Sequence, residues 1–250
     1  MSWQLGFKDP TVQRLRRLLG RRSARWEDRA FVVEGALLVR EAVAAGWQIE
    51  AQFIAPGGEP VPGAPDVIHE LAPHVMERVA STESPQAVMA VVRMREHRVS
   101  DLAGASLVVV CDRIADPGNL GTILRSCEAA GVDGVIMTTG SVDPFNPKVV
   151  RSSAGALFHV PVVGDVALHE LQQLRLPLVG TSSHQGTSFT EADLVTPFAL
   201  VMGSEAHGVD VQMPIDSWLT IPHVGRAESL NVAMAATVVV FEAARQRGAR

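Results

Sequence analysis

At 250 residues and 47% hydrophobic, the chain has enough apolar content for a sizeable core and is expected to form two α/β units. Its formal charge of −5 argues against a wholly basic nucleic-acid binder. No apolar run approaches the ~20 residues of a membrane span, and no h-region separates the first charges from a cleavage site, so neither a span nor a signal peptide is expected. Cys111 and Cys127 form no metal-type spacing and no disulfide framework. No metal is expected, and a reducing cytoplasm is the simplest setting.

The average charge hides a gradient. Residues 1–30 carry eight Lys/Arg against three acidic residues, a local +5 that leaves −10 for the remainder. A basic arm on an acidic body suits a polyanionic partner, although a solvated helix face has the same composition. In chain order, Thr11 is placed to cap a helix with Val12, Leu15, Leu18 and Leu19 inward and Arg14, Arg16, Arg17 and Arg21 outward. Phe31–Val33 reads as a strand, and Leu38, Val39, Ala42 and Val43 as a helix closing near Gly46. A strand at 49–54, a Pro/Gly-rich loop from Pro56 to Pro65, a helix around 75–79 and a strand at 88–92 complete a small unit. The domains are therefore 1–95, a charged linker 96–104, and 105–250.

The second part is more regular. Short β-rich runs at 107–111, 134–138, 178–181, 198–202 and 218–221 alternate with helices or loops, which implies a largely parallel sheet covered on both faces. Ligands of such sheets bind beyond the carboxyl ends of strands, and three of these strands run straight into polar, glycine-containing loops. In the first, Pro117, Gly118 and Asn119 make a turn, Asn119 can cap, and Arg125 lies off the buried stripe of the helix that follows. In the second, Gly203 and Gly208 surround Ser204, Glu205 and His207, allowing backbone to approach a ligand closely. The third runs from Ile221-Pro222 through Arg226, Glu228, Ser229, Leu230 and Asn231. Ser229 stands where it can cap a helix striped by Val232, Ala235, Ala236, Val239, Val240 and Ala243. Between them, 146–155 reads as a cationic loop with Lys148 and Arg151, ahead of a strand-like stretch at 157–162.

Together these loops resemble the SpoU-type ribose methyltransferases of the SPOUT superfamily, which methylate RNA 2′-hydroxyls with S-adenosylmethionine. Asn119, Gly121 and Arg125 match the family's first motif, Gly203-Ser204-Glu205 its second, and Ile221-Pro222 with Ser229-Leu230-Asn231 its third, in the family's order across roughly 107–244. Arg151-Ser152 and Gly155 fall between motifs as in the family, while Ala206 replaces a glycine usual after the motif-two glutamate. Phe31-Val32-Val33-Glu34-Gly35 is similar to the family's N-terminal substrate-binding domain, itself akin to small ribosomal RNA-binding proteins.

The resemblance implies a trefoil-knotted C-terminal domain and a homodimer, with Gly203, Ile221 and Leu230 holding the cofactor. It implies Arg125, Asn119, Glu205, Ser229 and Asn231 as the catalytic set and Arg151 as a phosphate contact. Arg14, Arg17, Arg21 and Arg22 of the basic arm are expected to meet RNA phosphates. With no tyrosine and 5% aromatics, recognition through shape and backbone is more natural than a stacking platform. Ribosomal RNA is the favoured substrate. The alternatives are a transfer-RNA methyltransferase or a non-catalytic RNA-binding protein on the same fold. An unrelated nucleotide-binding enzyme lacks its Gly-x-Gly-x-x-Gly turn or Walker lysine here.

Overall fold

A computed structural model describes residues 4–64, 67–226 and 228–248. Pro65, the expected end of the early Pro/Gly loop, lies outside the described residues, as does Ala227 of the third polar loop. The chain divides into two compact units, Met1–Arg95 with Phe145–Phe158, and Glu96–Pro144 with His159–Arg250.

The first unit starts with α1 (Pro10–Gly20) and α2 (Arg22–Asp28). Proline at the first helical position has no N–H to lose, so the cap falls on the residue before it. The Asp9 carboxylate accepts from Thr11 N at 2.8 Å, and Thr11 is inside the helix rather than its cap. Val12, Leu15, Leu18 and Leu19 are buried as the periodicity predicts. Buried Arg25 donates to Leu18 O at 2.8 Å, satisfying a carbonyl left open at the end of α1. There follow β1 (Ala30–Glu34), α3 (Ala36–Ala44), β2 (Ile49–Ile54), β3 (Ile68–Glu70), α4 (Val75–Val79) and β4 (Val88–Arg93). The four-stranded sheet runs β1-β4-β2-β3, with β4 antiparallel to both neighbours and β3 parallel to β2. The short helix α2 and the three-residue β3 carry too little periodicity to be read from sequence.

The second unit contributes β5 (Leu107–Cys111), α5 (Pro117–Ala129) and β6 (Gly134–Thr138) before the chain passes through α6 (Pro147–Ser152), which belongs to the first unit. It resumes with β7 (Val162–Val166), β8 (Leu178–Thr181), β9 (Thr187–Ser188), β10 (Phe198–Met202), β11 (Ser217–Thr220) and α7 (Val232–Gln246). The seven-stranded sheet is ordered β7-β6-β5-β10-β8-β11-β9, and every pairing is parallel. All residues of β5, β6 and β10 are buried, as a parallel sheet covered on both faces requires. After β9 the chain returns to insert β10 between β5 and β8, so loops distant in sequence meet at one end of the sheet.

Several expectations are corrected. Residues 147–152 form a helix rather than a loop, started by the Asn146 side chain accepting from Lys148 N at 2.9 Å. Leu157 lies in a single 3₁₀ turn, and the strand begins only at Val162. Asp116, not Asn119, caps α5, accepting from Asn119 N at 2.9 Å. Asn231, not Ser229, caps α7, accepting from Ala233 N at 2.9 Å and Met234 N at 3.3 Å. Among the described residues no helix is long and apolar enough to cross a membrane.

Candidate active site

Because Asp116 takes over the cap, the Asn119 side chain is released to point outward from the first turn of α5. Its Nδ2 donates to Glu205 Oε1 at 2.5 Å, and its Oδ1 accepts from Asn231 Nδ2 at 3.0 Å. One amide thus joins the three polar loops, while Asn231 simultaneously caps α7 through its own oxygen. Buried Ser126 and half-buried Thr237 bring their hydroxyls to 2.6 Å, tying α5 to α7 behind this junction.

The loop after β10 is folded tightly on itself. Ser204 N donates to Gly208 O at 3.0 Å, Gly208 N returns to Ser204 O at 2.9 Å, and His207 N donates to Ser204 Oγ at 3.2 Å. A Cβ on Gly203 would lie 2.1 Å from Gly208 C and Val209 N, so glycine is required by the loop's own return path. The sequence reading attributed that glycine to ligand approach; its own backbone sets the demand first. Behind the loop, fully buried Asp112 accepts from Asp210 N at 2.7 Å and from Thr138 Oγ1 at 3.0 Å, and Arg113 Nη1 pairs with Asp210 Oδ2 at 2.9 Å. These contacts anchor the glutamate-bearing loop to the end of β5.

A cavity of about 720 Å³ opens at the carboxyl ends of β8, β10 and β11, beside the first turns of α7. That volume lies within the roughly 300–1,000 Å³ of small-molecule sites. Gly203, Glu205, Ile221, Ser229, Leu230 and Asn231 all line it. It is also lined by the loop after β8, Thr181 to Gln185, and by His223, none of which the sequence reading selected. The former was visible as one more polar loop at a strand end, but only the strand order brings it here. His223 Nε2 is buried with no hydrogen-bond partner. An orphaned ring nitrogen inside a cavity of mixed character fits a ligand bearing hydrogen-bonding groups, such as the nucleoside and amino-acid parts of S-adenosylmethionine.

The remaining sequence-selected residues separate. Arg125 is exposed on α5 and does not line the cavity. Arg151 lies on α6 in the first unit, where Nη1 meets the buried Glu34 carboxylate at 2.8 Å and contacts the Ser81 hydroxyl. Arg14 is half-buried and committed to Asp28 at 2.7 Å and Glu50 at 2.6 Å, which removes it from the outward-facing set. Arg17, Arg21 and Arg22 are exposed on or just after α1. Burial, reinforced by the carboxylates of Asp112 and Glu205, pushes the Cys111 thiol up to about 12, and burial raises Cys127 likewise. Both thiols are protonated at neutral pH and unsuited to nucleophilic work.

Comparison with known proteins adds independent findings. A family model described as the SpoU rRNA Methylase family matches residues 106–241, and one described as an MRM3-like substrate binding domain matches residues 9–90. The chain is 35% identical over 225 residues to the 23S rRNA (guanosine(2553)-2'-O)-methyltransferase RlmP of Bacillus subtilis, covering 87% of this chain and 89% of that protein. It is 32% identical over 261 residues to the 23S rRNA (uridine(2479)-2'-O)-methyltransferase of Streptomyces viridochromogenes, covering 96% and 91%. An AdoMet-bound rRNA methyltransferase from Sinorhizobium meliloti superposes with a TM-score of 0.86 at 28% identity, covering 98% of each chain.

Proposed function

Since the chain belongs to the SpoU rRNA methylase family, we propose that it transfers the methyl group of S-adenosylmethionine to a ribose 2′-hydroxyl of ribosomal RNA. The observation that carries this reading is the amide of Asn119 joining Glu205 and Asn231 at the edge of a cavity built by three strand ends. Similarity along nearly the whole chain to proteins named for 23S rRNA favours ribosomal over transfer RNA.

S-adenosylmethionine supplies an electrophilic methyl on a sulfonium, so the protein needs only to align the acceptor and strengthen it as a nucleophile. Gly203, Ile221 and Leu230 hold the cofactor largely through backbone groups. Asn119 orders the site around the reacting ribose, Glu205 holds the motif-two loop, and Ser229 and Asn231 fix the wall opposite. Arg125, exposed on α5 outside the cavity lining, is assigned the acceptor by its match to the family's first motif. A guanidinium stays protonated and has no lone pair to act as a base, so Arg125 stabilises the developing alkoxide and grips the adjoining phosphate, the proton passing to phosphate or water.

Residues 1–95 serve as the RNA-binding domain, joined through 96–104 to the methyltransferase domain at 105–250. The chain works as a homodimer in the cytoplasm, and its C-terminal domain carries the family's trefoil knot. Support for the dimer comes from α7, where Met234 and Phe241 are 55% and 46% exposed at i and i+7 on one helix face.

The test is incubation with labelled S-adenosylmethionine and separated ribosomal and transfer RNAs, followed by mapping of the modified ribose. Label on one 2′-oxygen of ribosomal RNA is expected. An Arg125→Lys enzyme should lose about 10²-fold in turnover with cofactor affinity retained. Cofactor binding without transfer to any RNA would overturn the assignment.

A further inference from the structure

The first unit has a second concavity, of about 630 Å³, lined by Gly6, Phe7, Lys8, Gln13, Arg16 and Arg78. Three cations converge there, and none of the lining residues is acidic. The guanidinium carbons of Arg16 and Arg78 lie 4.4 and 3.7 Å from the Phe7 ring centroid. Two like charges are therefore gathered over one aromatic ring, an arrangement that ring attraction helps to hold and that a shared anion would relieve. The site is ordered in advance. Gln13 donates to Phe7 O and accepts from Arg16 Nη1 at 3.1 Å, pinning the Phe7 loop and one guanidinium to α1. Planar guanidiniums with free edges suit phosphate oxygens.

We propose that this pocket receives a phosphate of the substrate RNA backbone, an inference that rests on the RNA-methyltransferase reading. A polyanion rather than a free phosphate is favoured because exposed Arg17 and Arg21 continue the positive surface along α1 from Arg16. Arg16 and Arg78 thereby take the place that Arg14, held by Asp28 and Glu50, does not fill. The pocket was hidden in the sequence because it joins the chain near residue 7 to a helix at residue 78.

The experiment measures binding of the full-length protein to purified 23S ribosomal RNA across a salt series, with S-adenosylmethionine affinity recorded in parallel. Arg16→Gln/Arg78→Gln should weaken RNA binding about tenfold or more and lower the slope of log K against log salt by up to about 2, since each lost phosphate contact removes ~0.9. Cofactor affinity and melting temperature should stay at wild-type values. Arg16→Lys/Arg78→Lys, which keeps both charges, should retain the slope and so guards against a folding artefact. Wild-type affinity and slope in the glutamine double variant would overturn the pocket while leaving RNA binding intact. Displacement of RNA by millimolar inorganic phosphate at constant ionic strength would reassign the pocket to free phosphate. Failure of the wild-type protein to bind the RNA at all would overturn both the pocket and the parent reading.

Discussion

Asn119→Asp is the sharpest probe of the junction between the three loops. The substitution keeps the shape and the acceptor for Asn231 but puts a carboxylate oxygen where Nδ2 now donates to Glu205 at 2.5 Å. A hydrogen bond to a charged group, worth about 1.5 kcal/mol or more, is lost. Two carboxylate charges about 3 Å apart add ~1.4 kcal/mol of repulsion even at the dielectric of water. Swinging the exposed Glu205 away relieves the repulsion but abandons the wall of the cavity that its loop forms. The expected penalty is therefore about 1.5–3 kcal/mol, a 10- to 10²-fold weakening of S-adenosylmethionine binding by calorimetry. Combining it with Glu205→Gln restores a donor–acceptor pair in reverse and should bring the affinity back to within about threefold of wild type. Wild-type cofactor affinity in Asn119→Asp, or a double variant no better than the single one, would refute the coupling.

Gly203→Ala forces a methyl to within 2.1 Å of Gly208 C and Val209 N, so the motif-two loop must open; strain of about 1–3 kcal/mol should appear as a 5- to 10²-fold loss of cofactor affinity in calorimetry. His223→Ala, which deletes the unpartnered ring nitrogen, should weaken cofactor binding about fivefold without lowering the melting temperature, and unchanged binding would show that Nε2 meets no ligand atom. The raised thiols set an alkaline limit. The unfolded chain releases the Cys111 proton near 9.0 whereas the folded chain holds it to about 12, so the native state binds more protons between those values and stability falls as pH rises. Each raised thiol adds a slope approaching about 1.4 kcal/mol per pH unit, so Cys111→Ala should remove one share in urea titrations run through that window while Cys127 keeps the other.

Much of this protein was legible as a string. Apolar runs at β5, β6 and β10 and the stripes of α1, α5 and α7 are local patterns, and burial follows them almost residue for residue. The starts of α1, α5 and α6 were legible too, since Asp9-Pro10, Asp116-Pro117 and Asn146-Pro147 each place an acceptor ahead of a proline that needs no donor. Assigning the caps to Thr11 and Asn119, and reading 146–155 as a loop, missed that shared signal.

What the sequence by itself determined was the inventory: a basic arm, a parallel-sheet domain and three chemically loaded loops carrying Asn119, Glu205 and Asn231. What only the tertiary structure decided was which of those groups meet. Insertion of β10 between β5 and β8 brings Asn119 to Glu205, the cap on α7 turns Asn231 toward Asn119, and a return to the first unit gives Arg151 to Glu34. Likewise Arg14 and Arg16, two residues apart on one helix, diverge: one is held by Asp28 and Glu50, the other lies over Phe7. Periodicity is a property of neighbours along the chain. Partnership depends on strand order and on which side chains a cap or an ion pair leaves free, and those are settled only when distant segments pack.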